Sequence, residues 1–386
     1  MKNKVYFALG LHMHQPPENL ELLITHNDWE AQQIIRCYER AARYAHLFKK
    51  DGFFHVGFSG TLLEQFQDPS IIKRYKKHVD IPKMIETYRK AKNIELIGMG
   101  FNHPIFPLIP KEDWQEQLQT GRDIMKDMFG RAPKGFWPSE MAFSMEMVPA
   151  IKAAGYEYVV VDHVHVQPQN DKDKADYFKP YKATFDKASI TVIPRNRDIS
   201  NAQESGLNPG WFTSEVMRKL SDRPKSKYPS LVTTWSDGEN GGWFRQMDEN
   251  SGFFGYFFKP FMEMVRAKET NIQPIKISDY LKEHPPQDEA FVQTGAWNVA
   301  STSGYDFSQW NGSESQKQAI NELFKTSRRY WQLKNTKLPL KKKEILDKAR
   351  KSVLDAETSC YLFWGDAWIP KLYEKSAQAN ALLDQI

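Results

Sequence analysis

Seven runs of β-branched and aromatic residues in this chain each end in a cluster of polar side chains able to do chemistry. The clusters are His12-Met13-His14-Gln15, Ser59-Gly60 with Glu64 close behind, Asn102-His103, Trp137-Pro138-Ser139-Glu140, Asp162-His163-Val164-His165, Arg195-Asn196-Arg197-Asp198 and Trp235-Ser236-Asp237-Gly238-Glu239-Asn240. Two segments set a carboxylate beside a tryptophan: Gly135 to Glu140, with Trp137, and Thr233 to Trp243, with Trp235. Two opposed carboxylates beside aromatic faces are what glycosidic-bond cleavage needs, one to attack or stabilise the sugar carbon and one to protonate the leaving oxygen. The rings stack on the apolar C–H faces of sugars. Taken alone, Glu140 reads as a surface carboxylate at a helix start, and Asp237 reads equally well as the shaper of an Asp-Gly turn. Their shared setting tips both toward function.

The histidines offer a rival chemistry. His12-x-His14 and His163-x-His165 have strand spacing that points both members of a pair the same way, so imidazoles with Asp162 or Asp237 can be read as a metal site. A metal-dependent polysaccharide deacetylase or mannosidase-like enzyme would use such a set. Histidines hydrogen-bonding a neutral polyol are as natural a reading, because imidazole donates and accepts at once. The tryptophan-flanked carboxylates also have no task in the metal scheme, so no metal and no cofactor is expected. Arg195, Arg197 and Asp198 read as an ion-pair network at the rim, or as contacts to substrate hydroxyls or phosphate. Tyr305, Asp306 and Trp310 lie in a loop that can complete the cleft, with core packing equally open to Trp310.

The elements that must position these groups follow from the pattern. The strand-like runs are Val5–Leu11, Phe53–Phe58, Ile94–Met99, Gly135–Trp137, Tyr156–Val161, Ile190–Ile193 and Leu231–Trp235, with helical stretches at Asn27–Phe48, Ile81–Ala91, Lys111–Phe129 and Met145–Ala154. Strands alternating with helices imply parallel βαβ units, and seven of them predict a seven-stranded (β/α)7 barrel with its functional groups after the strands. From about Gln287 the character changes to a Gly/Ser/Asn-rich loop and then helices. Ser313 and Gln316 read as a capping box, and further helices run from about Lys341 to Ala356 and Pro370 to Leu383. The expected division is a barrel over residues 1–286 and a helical C-terminal region over 287–386 packed on it.

Composition is ordinary for a folded protein: 386 residues, 53 Lys+Arg against 48 Asp+Glu and a formal charge of +5 exclude disorder and collagen-like repetition. The 24 Phe, 16 Tyr and 11 Trp make 51 rings, enough to fill a core and line a binding surface. Among the tryptophans, Trp137, Trp235, Trp243 and Trp310 are expected as sugar platforms, whereas Trp331, Trp364 and Trp368 in the helical tail are expected in the core. Cys37 and Cys360, 323 positions apart, fit no disulfide framework and suit a reducing compartment, so the cytoplasm is expected. Lys2, Lys4 and the apolar run after them superficially resemble a secretory leader, but no small-residue cleavage site follows. No run approaches the roughly 18 apolar residues of a membrane span. The dispersed lysines do not predict nucleic-acid binding, and no oligomeric partner is indicated.

Four of these segments, in order along residues 1 to 300, resemble the signatures of glycoside hydrolase family 57. His12-Met13-His14-Gln15-Pro16 is similar to its opening H-x-H-Q-P motif, and Gly100-Phe101-Asn102-His103-Pro104 to its second region. Trp137-Pro138-Ser139-Glu140 resembles its nucleophile segment, and Trp235-Ser236-Asp237-Gly238-Glu239-Asn240 its acid/base segment. Similarity is weaker around Ala356-Glu357-Thr358-Ser359-Cys360. At strand four, Gly135-Phe136-Trp137 departs from the family's longer Cys-Glu-Trp-Met-type approach, and the loops are short, which argues against a branching enzyme.

The resemblance implies a seven-stranded barrel with a helical C-terminal part, of the alpha-amylase type, that acts on α-glucans or maltooligosaccharides by a retaining mechanism without a metal. It implies Glu140 as nucleophile and Asp237 as general acid/base, with His12 and His14 at the subsite of the cleaved sugar. His103, Trp137, His163, Trp235, Asn240 and Trp243 join the substrate-binding set. In this scheme the carboxyls stand roughly 5–5.5 Å apart, and burial with the Glu140 charge is expected to raise the pKa of Asp237. 4-α-Glucanotransfer on the same site is the alternative within the chemistry, and a silent glucan-binding protein the alternative outside it.

Overall fold

The computed structural model describes residues 4–169, 175–297 and 307–386, so Tyr305 and Asp306 lie outside the described residues. Each of the seven strand-like runs forms a strand: β1 (Val5–Met13), β2 (Phe54–Phe58), β3 (Ile94–Gly98), β4 (Gly135–Phe136), β5 (Tyr158–Asp162), β6 (Ala188–Arg195) and β7 (Ser230–Asp237). They pair in parallel in the order β7-β1-β2-β3-β4-β5-β6. A barrel strand is covered by the interior on one face and by helices on the other, so β2, β3 and β5 are buried at every position and read as continuous apolar runs.

At the seam between β6 and β7, Asn196 joins the two strands. Its backbone N–H donates to the Thr233 carbonyl at 2.8 Å, and its Oδ1 accepts from the Thr233 N–H at 2.9 Å. The (β/α)7 wall is therefore bridged there by one residue, through its backbone N–H and its side chain, because the chain turns into the helix Arg197–Glu204 at this point. Ile272–Pro274 runs parallel beside the first half of β1, where β2 has not yet begun.

β6 is longer than its sequence suggested, because Tyr181–Phe185 returns on it antiparallel through Asp186-Lys187, both with positive φ (43° and 66°). Such hairpin turns are usually marked by glycine, and neither residue is one. The barrel interior is filled by Trp137, Tyr158, Val160, Ile193, Leu231 and Trp235. Gly10, the register partner of Trp235 across β1 and β7, makes this packing feasible, since a Cβ there would stand 2.2 Å from the indole.

The C-terminal helices Glu314–Lys334, Leu340–Asp355 and Ile369–Leu383 pack through Tyr330, Leu346, Val353 and Ala379. The Ser313/Gln316 capping box forms as expected. Buried Arg350 pins this region to the barrel-side helix Lys111–Phe129, reaching Asp113 at 2.7 Å and Glu116 at 2.8 Å. Trp310 is fully buried against the C-terminal helices and is core, not platform. Among the described residues, no helix is long and apolar enough to cross a membrane.

Candidate active site

Strand register brings the first pair of polar groups together. His12 on β1 lies opposite Asp237, the last residue of β7, and its Nε2 reaches Asp237 Oδ1 at 2.8 Å. Asn240 donates from Nδ2 to Asp237 Oδ2 at 3.1 Å.

Glu140 arrives from the loop after β4, where Trp137-Pro138-Ser139 leads into two residues in the left-handed region, Glu140 (φ 58°) and Met141 (φ 52°). His103, in the loop after β3, has φ 58° as well. Each such residue costs about 1–3 kcal/mol, and strain of this kind concentrates at functional sites. Trp297 holds the turn at two points, its backbone N–H donating to the Glu140 carbonyl at 2.9 Å and its indole Nε1 to Glu140 Oε2 at 2.7 Å. A ring nitrogen of His12 lies within 4.8 Å of a Glu140 oxygen, so one imidazole faces both carboxyls.

Four rings line this spot in one stack. His12 lies on Trp137 (centroids 4.0 Å apart, planes 18°), and His14 on His103 (3.9 Å, 8°), with His12 and His103 5.7 Å apart and nearly parallel. Hydroxyls orient two of the imidazoles: His14 Nδ1 pairs with Ser59 Oγ and His103 Nδ1 with Ser359 Oγ, each at 2.8 Å. Glu239 accepts the His14 backbone N–H at 2.9 Å, tying the loops after β1 and β7 together.

The charges sort by partner. Burial alone would push the His12 imidazole down, but the charge and hydrogen bond of Asp237 outweigh it and lift it to about 9. Burial and the His12 charge hold His14 down at about 3, and burial keeps His103 well below its ordinary value, so both are neutral. Asp237 resists burial through the His12 charge and hydrogen bond and falls below its ordinary value. Glu140 is pushed up to about 7 by burial and by the Asp237 charge. The expected order is thus reversed, with the raised carboxyl being Glu140. Burial likewise lifts Glu239 to about 8.

The remaining residues expected in the site divide. His12, His14, His103, Glu140, Asp237 and Asn240 line one cavity of about 330 Å³. Trp137 and Trp235 are fully buried, the one beneath His12 and the other across the barrel interior, so neither offers a face to a sugar. His163 belongs to a different cluster. Its Nδ1 contacts the Arg195 carbonyl at 3.0 Å, beside an Asp162 whose carboxyl is bound by Arg195 (3.3 Å) and Arg197 (2.8 Å). Burial opposes the Asp162 charge, yet His163 and the two arginines hold it at about 2. This is the ion-pair reading of the arginines. Trp243 lies behind the loop that follows β7.

The reading from sequence missed Trp297, and it placed Trp364 and Trp368 in the core, although both line the cavity and Trp364 is 57% exposed. Trp297 serves as a positioning residue for Glu140. Trp297→Phe removes a charge-assisted donor, so activity is expected to fall about tenfold. That donor favours the carboxylate, so its loss moves the acidic limb of the pH profile upward. An unshifted limb would assign Trp297 to packing only.

As for metal, the sequence-derived set does not assemble, since His165 Nε2 contacts the Ala296 carbonyl at 2.9 Å. Among the described residues, His12, His103 and Glu140 bring ligand atoms within 4.8 Å of one another. The His12 and His103 nitrogens that contact Asp237 and Ser359 are already engaged, and His12 carries a proton that a cation would have to displace.

A family model described as Glycosyl hydrolase family 57 matches residues 6–293. Alpha-amylase 1 of Dictyoglomus thermophilum is 26% identical over 304 residues, 77% of this chain and 40% of that protein. A 4-alpha-glucanotransferase of Thermococcus kodakarensis is 25% identical over 310 residues, 80% of this chain and 42% of that protein. The chain thus spans less than half the length of these curated relatives. A branching enzyme of the same family type from Pyrococcus horikoshii shares the fold at a TM-score of 0.74 and 16% identity, over 99% of this chain and 88% of that one.

Proposed function

The chain belongs to glycosyl hydrolase family 57, and from that membership we propose that it is a retaining, alpha-amylase-like hydrolase of α-1,4-glucosidic bonds in α-glucans and maltooligosaccharides. The observation that carries this reading is the pair of carboxyls, Glu140 and Asp237, facing one imidazolium in a cavity. Residues 1–286 supply the pair, and residues 287–386 supply Trp297, Ser359, Trp364 and Trp368 around it.

In this mechanism Glu140, ionised and held by Trp297, attacks the anomeric carbon. The acid is the His12–Asp237 unit, which holds one proton: the imidazolium proton passes along the 2.8 Å hydrogen bond to Asp237, which delivers it to the departing oxygen and leaves His12 neutral. Asp237 then takes a proton from the water that releases the glycosyl-enzyme. The neutral imidazoles of His14 and His103 both donate and accept, which suits sugar hydroxyls. Trp364 and Trp368 offer the stacking faces.

A bell-shaped pH profile follows. Glu140 must be ionised, so kcat/KM rises as pH passes about 7. The His12–Asp237 unit must hold its proton, so kcat/KM falls as pH passes about 9. A profile that instead falls steadily from about pH 6 contradicts these roles.

Oligosaccharide profiling on maltoheptaose and glycogen tests the function. Shorter maltooligosaccharides alone indicate hydrolysis, longer ones indicate 4-α-glucanotransfer, and no product indicates a glucan-binding protein. Loss of activity on chelation supports the metal-dependent alternative. Two separate thiols suit a reducing compartment, and we assign the protein to the cytoplasm.

A further inference from the structure

Asp237 stands between two cavities. The one described above, of about 330 Å³, contains Glu140, His12 and His14. The other, of about 210 Å³, is lined by Asp237, Asn240, Glu204 and Trp243 but not by Glu140. A third, of about 430 Å³, shares Glu204 and Trp243 with it and adds Tyr256. Shared lining residues set the three in a row, with Asp237 at the junction of the first two, an arrangement that suits an extended chain of sugars.

The chemistry orients this row. In a retaining displacement the nucleophile lies against the anomeric carbon of the sugar that stays, and the acid reaches the oxygen shared with the sugar that leaves. A carboxyl that lines both cavities, with the nucleophile in only one, sorts them. The Glu140 side holds the retained sugars, and the Glu204 side faces the departing one. On the roles given to Glu140 and Asp237 above, we propose that the cavity between Glu204 and Tyr256 is the leaving-group and acceptor subsite for the α-glucan chain. Tyr256 is its stacking face and Glu204 its hydroxyl-binding group.

Three local features support this. Phe253–Phe258 winds as a π-helical turn, a form frequent at functional sites. Within it Phe253, Phe254, Phe257 and Phe258 are buried, whereas Tyr256 is 44% exposed. Glu204 ends the helix Arg197–Glu204, with Oε1 3.9 Å from Arg195 Nη2. Glu204 is 39% exposed, and partial burial and the Asp237 charge raise its carboxyl against the pull of Arg195, which places it within electrostatic reach of Asp237.

The test compares two substrates in Glu204→Ala and Tyr256→Ala, each at an exposed position. Maltoheptaose must seat a leaving oligosaccharide on the Glu204 side, and α-maltosyl fluoride has only fluoride to lose. The ratio of kcat/KM on maltoheptaose to that on the fluoride is expected to fall about tenfold in each variant. A ratio unchanged in both variants overturns the subsite. A wild-type protein inert toward both substrates overturns the hydrolase reading, and the subsite with it.

Discussion

Replacing Glu140 by glutamine is expected to lower turnover of maltoheptaose by on the order of 10⁴-fold or more, because no other carboxylate replaces it as nucleophile. The substitution is nearly isosteric, and glutamine keeps an oxygen that accepts the Trp297 Nε1–H now bound to Glu140 Oε2. The strained turn at Glu140 and Met141 is held through backbone atoms, with the Glu140 carbonyl accepting from Trp297 and the Met141 N–H donating to Pro138. The variant should therefore fold, and circular dichroism with a melting curve checks that it does. Glu140→Ala opens room for a small anion, so azide is expected to restore part of the turnover on α-maltosyl fluoride and to yield a β-configured glycosyl azide. Near-normal turnover of Glu140→Gln would remove the residue from the mechanism.

The second large effect is expected at Asp237. Asp237→Asn removes the proton donor, and general acid catalysis contributes about 10²–10⁴-fold. That loss should appear in full in kcat/KM for maltooligosaccharides, whose leaving alkoxide needs a proton, and much less in kcat/KM for α-maltosyl fluoride, whereas the lost base slows release of the glycosyl-enzyme from both. The same substitution takes from His12 the charge and hydrogen bond that lift its imidazole to about 9. With that partner gone, burial pushes the imidazole down, and the alkaline limb of the pH profile moves to lower pH. Equal losses in kcat/KM on both substrates would contradict the acid role, and an unmoved alkaline limb would contradict the coupling to His12.

The strands were legible because a parallel barrel strand is buried on both faces and reads as an unbroken apolar run that stops where the polar loop begins. β1 shows it plainly, from Val5 into His12 and His14. The carboxylate loops were legible for the same reason, since Glu140 and Asp237 sit where runs end. The sign of the Asp237 shift was not, because it depends on a histidine 225 positions away. The pairing was nonetheless implicit in barrel closure, which sets the first strand beside the last, so that His12 and Asp237 meet in register.

The tryptophans were read from neighbours in sequence, and that misled. Trp137 and Trp235 adjoin the functional loops yet point into the barrel, where Gly10 clears space for one and His12 covers the other. Trp364 and Trp368 bracket the short turn Gly365–Ala367 between the helices Ser359–Phe363 and Ile369–Leu383, and only the docking of that connection over the barrel mouth brings them to the cavity. Trp297 lay in a loop with no periodicity, so nothing local marked its two hydrogen bonds to Glu140.

The central claim is that Glu140 forms a covalent glycosyl intermediate on an α-glucan while Asp237 serves as acid and then base. Proton NMR of the purified protein acting on maltoheptaose tests it most directly, with the anomeric signals followed before mutarotation. Double displacement predicts that the new reducing ends appear first as the α-anomer and equilibrate later. Reducing ends that appear first as the β-anomer would contradict the account, because they require a single displacement by water with no intermediate on Glu140.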